Sequence, residues 1–145
     1  FGRREYEHWK HLHATHGYHD LHHMDDAVVP VLEAGLVEFI EADFRLTDEV
    51  SLIPTPGHTP GHVSVLIQSK GESAVITGDM MHSPIQIAVP EREARFDMDK
   101  SAAARTRGEF VRRFSSTPTL VIGSHFAEPT AGHIVPDGAA WKFKV

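Results

Sequence analysis

One octapeptide, Thr55-Pro56-Gly57-His58-Thr59-Pro60-Gly61-His62, constrains this chain more than any other stretch. Its two Pro-Gly pairs follow Pro54 and exclude the interior of a helix or a strand: proline lacks the backbone donor, and glycine weakens either element. What remains is an irregular loop stiff enough to hold the His58 imidazole in one direction without regular structure around it. Apolar runs lie on both sides. Residues 49–53 read as a strand ending at Pro54, and residues 62–68 alternate, with Val63, Val65 and Ile67 on one face. Residues 74–77 form a second apolar run into Gly78-Asp79, joined to the first by a turn at Lys70-Gly71-Glu72. Further on, residues 119–122 read as a buried strand that delivers Gly123-Ser124-His125. His58, Asp79 and His125 therefore each follow a strand or a rigid turn, 21 and 46 residues apart.

The rest of the chain supplies covering elements. Residues 3–35 are rich in helix formers and predict two helices separated near Gly17, the second limited by Pro30, which fits only a first turn or a kink. A short strand is expected at residues 36–40. Residues 83–96 carry two prolines and little periodicity, so they read as a long loop over a site. Asp99 or Ser101 caps a helix running to about Phe114, with Ala103, Phe110 and Phe114 turned inward. On the same helix Arg105, Arg107, Arg112 and Arg113 read as a solvated face. A final hairpin is expected from Ile134-Val135 through Pro136-Asp137-Gly138 to the alternating residues 141–145.

Composition narrows the function classes. The chain has 145 residues, 41% hydrophobic and 23% charged, which is ordinary for one globular domain. A net charge of −6 argues against nucleic-acid partners, which require a basic stripe. No apolar run approaches the ~20 residues that span a bilayer, so no membrane partner is expected. No signal peptide is legible either. A cytoplasmic location is thus the default expectation, and a periplasmic or secreted one would need a signal upstream of Phe1.

With no cysteine in the chain, any transition-metal site must be built from histidine and carboxylate. Two imidazoles and a carboxylate suit Zn²⁺, Mn²⁺ or Fe²⁺ alike. Asp79 adds its own argument, since a carboxylate following a buried run is costly without a partner and a cation is the simplest one. No Gly-x-Ser-x-Gly sequence marks a serine hydrolase.

These blocks resemble the hydrolase branch of the metallo-β-lactamase superfamily, which includes N-acyl-homoserine lactonases, glyoxalase II and methyl parathion hydrolase-like enzymes. The likeness is greatest to the last group. It runs through Gly78-Asp79-Met80-Met81-His82, Phe96-Asp97-Met98-Asp99-Lys100-Ser101-Ala102-Ala103-Ala104, Gly123-Ser124-His125-Phe126 and Gly132-His133-Ile134. Clear motifs cover residues 50–145, and Arg3-Arg4-Glu5-Tyr6-Glu7-His8-Trp9 also looks like a helix of that group. The resemblance implies an α+β fold, an αββα sandwich present as its C-terminal portion in a single domain over residues 1–145. It implies two zinc ions in the complete fold, one held by His58, the other by His125, with Asp79 bridging both. His62 would be structural, and His82 would sit over the bound substrate beside Asp79 as a catalytic residue.

The implied activity is hydrolysis of a small-molecule ester, lactone or phosphotriester by a metal-activated water. The chain departs from the family in one respect: the motif His-x-His-x-Asp-His after a buried strand is not found. His11-Leu12-His13-Ala14-Thr15-His16 has nearly that spacing, but Thr15 replaces the Asp and the preceding residues are polar and helical. Seven of the 12 histidines fall between His8 and His23, and this tract reads as a solvated helix surface. The expectation is therefore a chain with half of a dinuclear site, weakly active or inactive alone, and a sheet face that invites a homodimer. The alternatives are a non-catalytic metal-binding module and a structural relic of the fold.

Overall fold

The computed structural model describes residues 1–16 and 24–145. Its strands form one six-stranded sheet in sequence order: β1 (Val50–Pro54), β2 (Val63–Ser69), β3 (Glu72–Ile76), β4 (Leu120–Ile122), β5 (Ala131–Asp137) and β6 (Ala140–Lys144). All neighbours are antiparallel except β3 and β4, which run parallel, with Val75 opposite Val121. A parallel pair needs a crossover. Here it contains α3 (Ile85–Ala88) and α4 (Lys100–Phe114). The crossover brings the ends of β3 and β4, and with them Asp79 and His125, out on the same edge of the sheet.

Local chemistry accounts for the joints. Ser69 pairs with Glu72, so the β2–β3 turn is the two residues Lys70 and Gly71, both at positive φ, the mirror-image turn that matches strand twist. The Asp99 carboxylate accepts the Ala102 N–H at 2.8 Å and caps α4. Along α4, Ala103, Phe110, Val111 and Phe114 turn inward at helical spacing. Phe110, Val111 and Phe114 pack with Leu66, Val75, Val121 and Ile134 of the sheet, and Met80, Met81, Ile87 and Phe126 complete the core. Burying each such side chain contributes about 1.5–3 kcal/mol.

The opposite face of the sheet differs. Val65, Ile67, Ile76, Leu120 and Ile122, which alternate with the core residues, are each half-buried rather than buried.

The N-terminal region holds α1 (Arg3–His16), then a π-helical turn (Met24–Val28) leading directly into α2 (Val29–Glu33), with Pro30 in its first turn. The break expected near Gly17 lies outside the described residues.

Three expectations are corrected. Residues 36–40 form no strand: Leu36 is 77% exposed, and Ile40 makes only an isolated bridge to Gly2. A strand needs a run of partner backbone, and α1 begins at Arg3, one residue past that bridge. Residues 83–96 are not loop throughout. Gln86 accepts the His82 N–H at 2.7 Å and donates to the Arg92 carbonyl at 3.0 Å, fastening α3 inside the segment. Finally, Arg107 does not join a solvated face. Arg105, Arg112 and Arg113 are exposed, but Arg107 is wholly buried because its guanidinium meets the buried Asp97 carboxylate at 3.0 Å.

Candidate metal centre

The loop of residues 55–62 is pinned from both sides. The Thr106 hydroxyl of α4 donates to the Pro56 carbonyl at 2.6 Å. The Asp99 N–H donates to the Gly57 carbonyl at 2.9 Å, and the Met98 N–H to the His58 carbonyl at 3.1 Å. From α1, the Glu5 carboxylate accepts the Gly61 N–H at 2.9 Å and the Trp9 indole N–H at 2.7 Å. Gly57, at φ +136°, lies so close to α4 that an added Cβ would stand 2.3 Å from the Ala103 nitrogen. The closeness of that approach is why the position needs glycine.

The loop presents two imidazoles with different tasks. His62 accepts the backbone N–H of Asp79 on Nε2 at 2.9 Å, and its Nδ1 meets the Thr55 hydroxyl at 2.8 Å. A backbone N–H can only donate, so the Nε2 of His62 carries a lone pair and the ring is neutral with its proton on Nδ1. Burial, reinforced by the charge of His58, lowers the His62 pKa against the opposing pull of Asp79, Thr55 and Glu5. His62 thus holds Asp79 by its backbone. Gly78 permits the contact, since at φ +58° it sits where a Cβ would be 2.8 Å from that same Nε2.

His58 faces the Asp79 side chain, its Nε2 3.6 Å from Oδ2. His125, delivered just past β4, brings its Nε2 to 2.9 Å from the other oxygen, Oδ1. The structure therefore brings together the three residues singled out from the sequence, one imidazole against each oxygen of a single carboxylate. Burial alone would push the Asp79 pKa up. The hydrogen bond from His125, and the positive charge that His125, His58 and His62 bring whenever they are protonated, outweigh it and hold the carboxyl below its ordinary value.

His82 completes the group. Its ring stacks on His125 with centroids 4.6 Å apart and lies 5.2 Å from His58. Its pKa is lowered by burial and then by the charges of those two neighbours, so the ring favours its neutral form. A cleft of about 580 Å³ opens over the cluster, lined by His58, Asp79, His82 and His125 and walled by Trp9, Phe96 and Met98.

Imidazole nitrogen and carboxylate oxygen are the right donors for zinc-type ions, and a carboxylate flanked on both sides fits a shared ligand. Each ion position would draw two donors from these side chains. Among the described residues, no three histidine or carboxylate side chains are grouped to hold one ion.

The histidine tract stands apart from the cleft. His11 is exposed, and His13 pairs with Asp25 at 3.2 Å; neither lines the cavity. The His16 side chain and His19, His22 and His23 lie outside the described residues.

Three further residues shape the site beyond those the sequence pattern marks for it. Asp97 is wholly buried, with Oδ1 3.6 Å from the Nδ1 of His58. Arg107 is its partner, and Trp9 reaches the cleft from α1. Asp97 sits in a motif visible in the sequence, and the signal for its burial is the arginine ten residues on, Arg107, which faces inward as its counter-charge.

Comparison with known proteins adds a family and a set of relatives. The model of the metallo-beta-lactamase superfamily matches residues 4–133. A curated N-acyl homoserine lactonase from a Bacillus species is 34% identical over 58 residues, covering 40% of this chain and 22% of that protein. The structure of AbOPH, a hydrolase of the beta-lactamase superfamily, superimposes with a TM-score of 0.83 at 24% identity, over 98% of this chain and 52% of AbOPH. AidC, a dizinc quorum-quenching lactonase solved with its product, gives 0.79 at 22% identity, over 99% of this chain and 52% of AidC. At those identities the two structures establish a shared fold. The chain spans about half the length of these solved relatives and about a fifth of the curated one.

Proposed function

The chain belongs to the metallo-beta-lactamase superfamily, and on that premise we propose that it carries half of the dinuclear site of a hydrolase acting on a small lactone, ester or phosphotriester. One observation supports the reading: the Nε2 atoms of His58 and His125 approach different oxygens of Asp79, an arrangement that suits a carboxylate shared between two ion positions. Two zinc ions are the cofactor favoured by this donor set and by the likeness to a dizinc lactonase, with Mn²⁺ or Fe²⁺ as substitutes.

When bound, the metal would polarise the substrate oxygen and make a water acidic enough to ionise near pH ~7. The side chains of the chain do the rest. Asp79, which lines the cleft, is held by its backbone on His62. His58 and His125 fix the two sides of that carboxylate. His82, neutral and stacked on His125, offers a ring nitrogen to a substrate oxygen. Trp9, Phe96 and Met98 provide an apolar wall for the substrate body. Hydrolysis adds one water across the scissile C–O or P–O bond, with the hydroxyl on carbon or phosphorus and the proton on the departing oxygen.

With two donors per ion among the described residues, where zinc takes four ligands, this chain binds metal weakly and turns over slowly by itself. Calorimetric titration with Zn²⁺ on the native chain, on His58→Ala and on a His11/His13/His16 triple alanine variant tests the assignment. Weak uptake abolished in His58→Ala and retained in the triple variant is the expected result; the reverse would make the chain a histidine-tract chelator. Release of acid from a homoserine lactone, an aryl ester or a phosphotriester at rates matching a full-length relative would refute the half-site. The half-buried sheet face supports self-association into a homodimer, which a monomeric mass in sedimentation would exclude.

A further inference from the structure

Behind His58, on the side away from the cleft, lies a carboxylate that the proposed reaction does not touch. Asp97 is wholly buried, and its Oδ2 accepts both the Arg107 guanidinium at 3.0 Å and the Ala94 N–H at 3.0 Å. Its Oδ1 is buried and, among the described residues, accepts nothing. The atom facing it, 3.6 Å away, is the Nδ1 of His58, which is also buried and also lacks a hydrogen-bond partner. Two orphaned buried atoms, one an obligate acceptor and one able to donate, stand opposite each other; buried polar groups are rarely left so.

We infer that Asp97 is a positioning residue that draws the His58 proton onto Nδ1, so that Nε2 turns its lone pair toward Asp79 and the cleft. The competing acceptor is Asp79, whose Oδ2 lies 3.6 Å from the Nε2 of His58. Asp79 has less need of that proton: its side chain is 48% exposed to water, and its other oxygen already meets His125. The Asp97 side chain is shut off from solvent, and among the described residues no donor reaches Oδ1. The carboxylate that cannot be solvated otherwise takes the proton.

Arg107 makes the arrangement rigid. Besides Asp97, its guanidinium donates to the Pro90 carbonyl at 2.7 Å and to the Met80 carbonyl at 3.3 Å, one residue beyond Asp79. A single buried cation thus ties together the carboxylate behind His58 and the backbone that carries Asp79. Carboxylates that orient histidines from behind tune ligand affinity by about 10–100-fold.

The inference rests on His58 as a ligand only for its effect on zinc, whereas the tautomer is read without metal. Long-range ¹H–¹⁵N spectra of the metal-free full chain with ¹⁵N-labelled histidine, recorded at about pH 8 where imidazole is neutral, report which nitrogen carries the proton. The expected result is an Nδ1–H tautomer for His58, moving toward Nε2–H in Asp97→Asn, whose amide can turn its NH₂ toward Nδ1, and returning in Asp97→Glu. Zinc affinity should fall about 10–100-fold in Asp97→Asn and recover in part in Asp97→Glu. An Nε2–H tautomer in the native chain overturns the inference without any variant, as does a shifted tautomer with unchanged zinc affinity. Zinc affinity that is indifferent to His58→Ala while Nδ1–H persists would instead fault the hydrolase reading and leave the tautomer standing.

Discussion

Replacing Gly57 by alanine measures how closely the His58 loop is set against α4. Two costs arise at once. At φ +136° the residue occupies a region open essentially to glycine alone, worth of order 1–3 kcal/mol for any other residue. The new methyl would also stand 2.3 Å from the Ala103 nitrogen and 2.4 Å from its Cα, against an ordinary contact of about 3.5–4 Å. Both atoms are backbone in the first turn of α4, so no side-chain rotation relieves the overlap and the loop must retreat. Retreat strains the Asp99–Gly57 and Met98–His58 backbone hydrogen bonds, each worth about 1 kcal/mol. The total is about 3–5 kcal/mol, the sum of strain and lost bonds.

Gly71→Ala is the matched control, because Gly71 also has a positive φ, +83°, but nothing lies within 4 Å of its added methyl. It should cost about 1–2 kcal/mol, the backbone term alone. Urea unfolding followed by tryptophan fluorescence compares the two. Agreement of the two variants within about 0.5 kcal/mol, the scale of ordinary surface changes, would refute the close approach of Gly57 to α4. Zinc uptake should weaken in the Gly57 variant only.

Arg107→Ala should destabilise the chain by about 3–5 kcal/mol, because it strands the buried Asp97 carboxylate, whereas Arg112→Ala, exposed on the same helix, should change stability by less than about 0.5 kcal/mol. Equal unfolding midpoints for the two variants would contradict the buried pair. His62 predicts a pH dependence. Its folded pKa lies below the ordinary 6.5, so below that pH the unfolded chain binds more protons than the native one. The contribution of the neutral ring is complete above 6.5 and is lost as the pH falls through the folded value. Urea midpoints should therefore decline on acidification through this window, and His62→Gln, which keeps an acceptor for the Asp79 N–H, should flatten that part of the profile; an unchanged slope would count against it.

Much of the sheet was determined by the sequence because strand signals are local. Alternation in residues 62–68, the turn after Ser69 and the Asp99 cap each depend on neighbours a few positions away; the turn, expected at Lys70-Gly71-Glu72, closes on Lys70-Gly71 with Glu72 already in β3. The rigid Pro-Gly loop likewise marked His58, and the ends of β3 and β4 marked Asp79 and His125. Tertiary structure alone decided three further matters. Residues 36–40 have strand-like composition, but their pairing with the first residues of the chain stops at an isolated bridge between Gly2 and Ile40, so no ladder forms. Arg107 looks like its exposed neighbours on α4 and becomes the most deeply buried cation because Asp97, ten residues earlier, folds back against it. The proton position on His58 depends on the same carboxylate. Periodicity reports which face of an element is apolar; it carries no information about which distant polar group waits on that face, because burial of charge is governed by partners that only the assembled fold brings within reach.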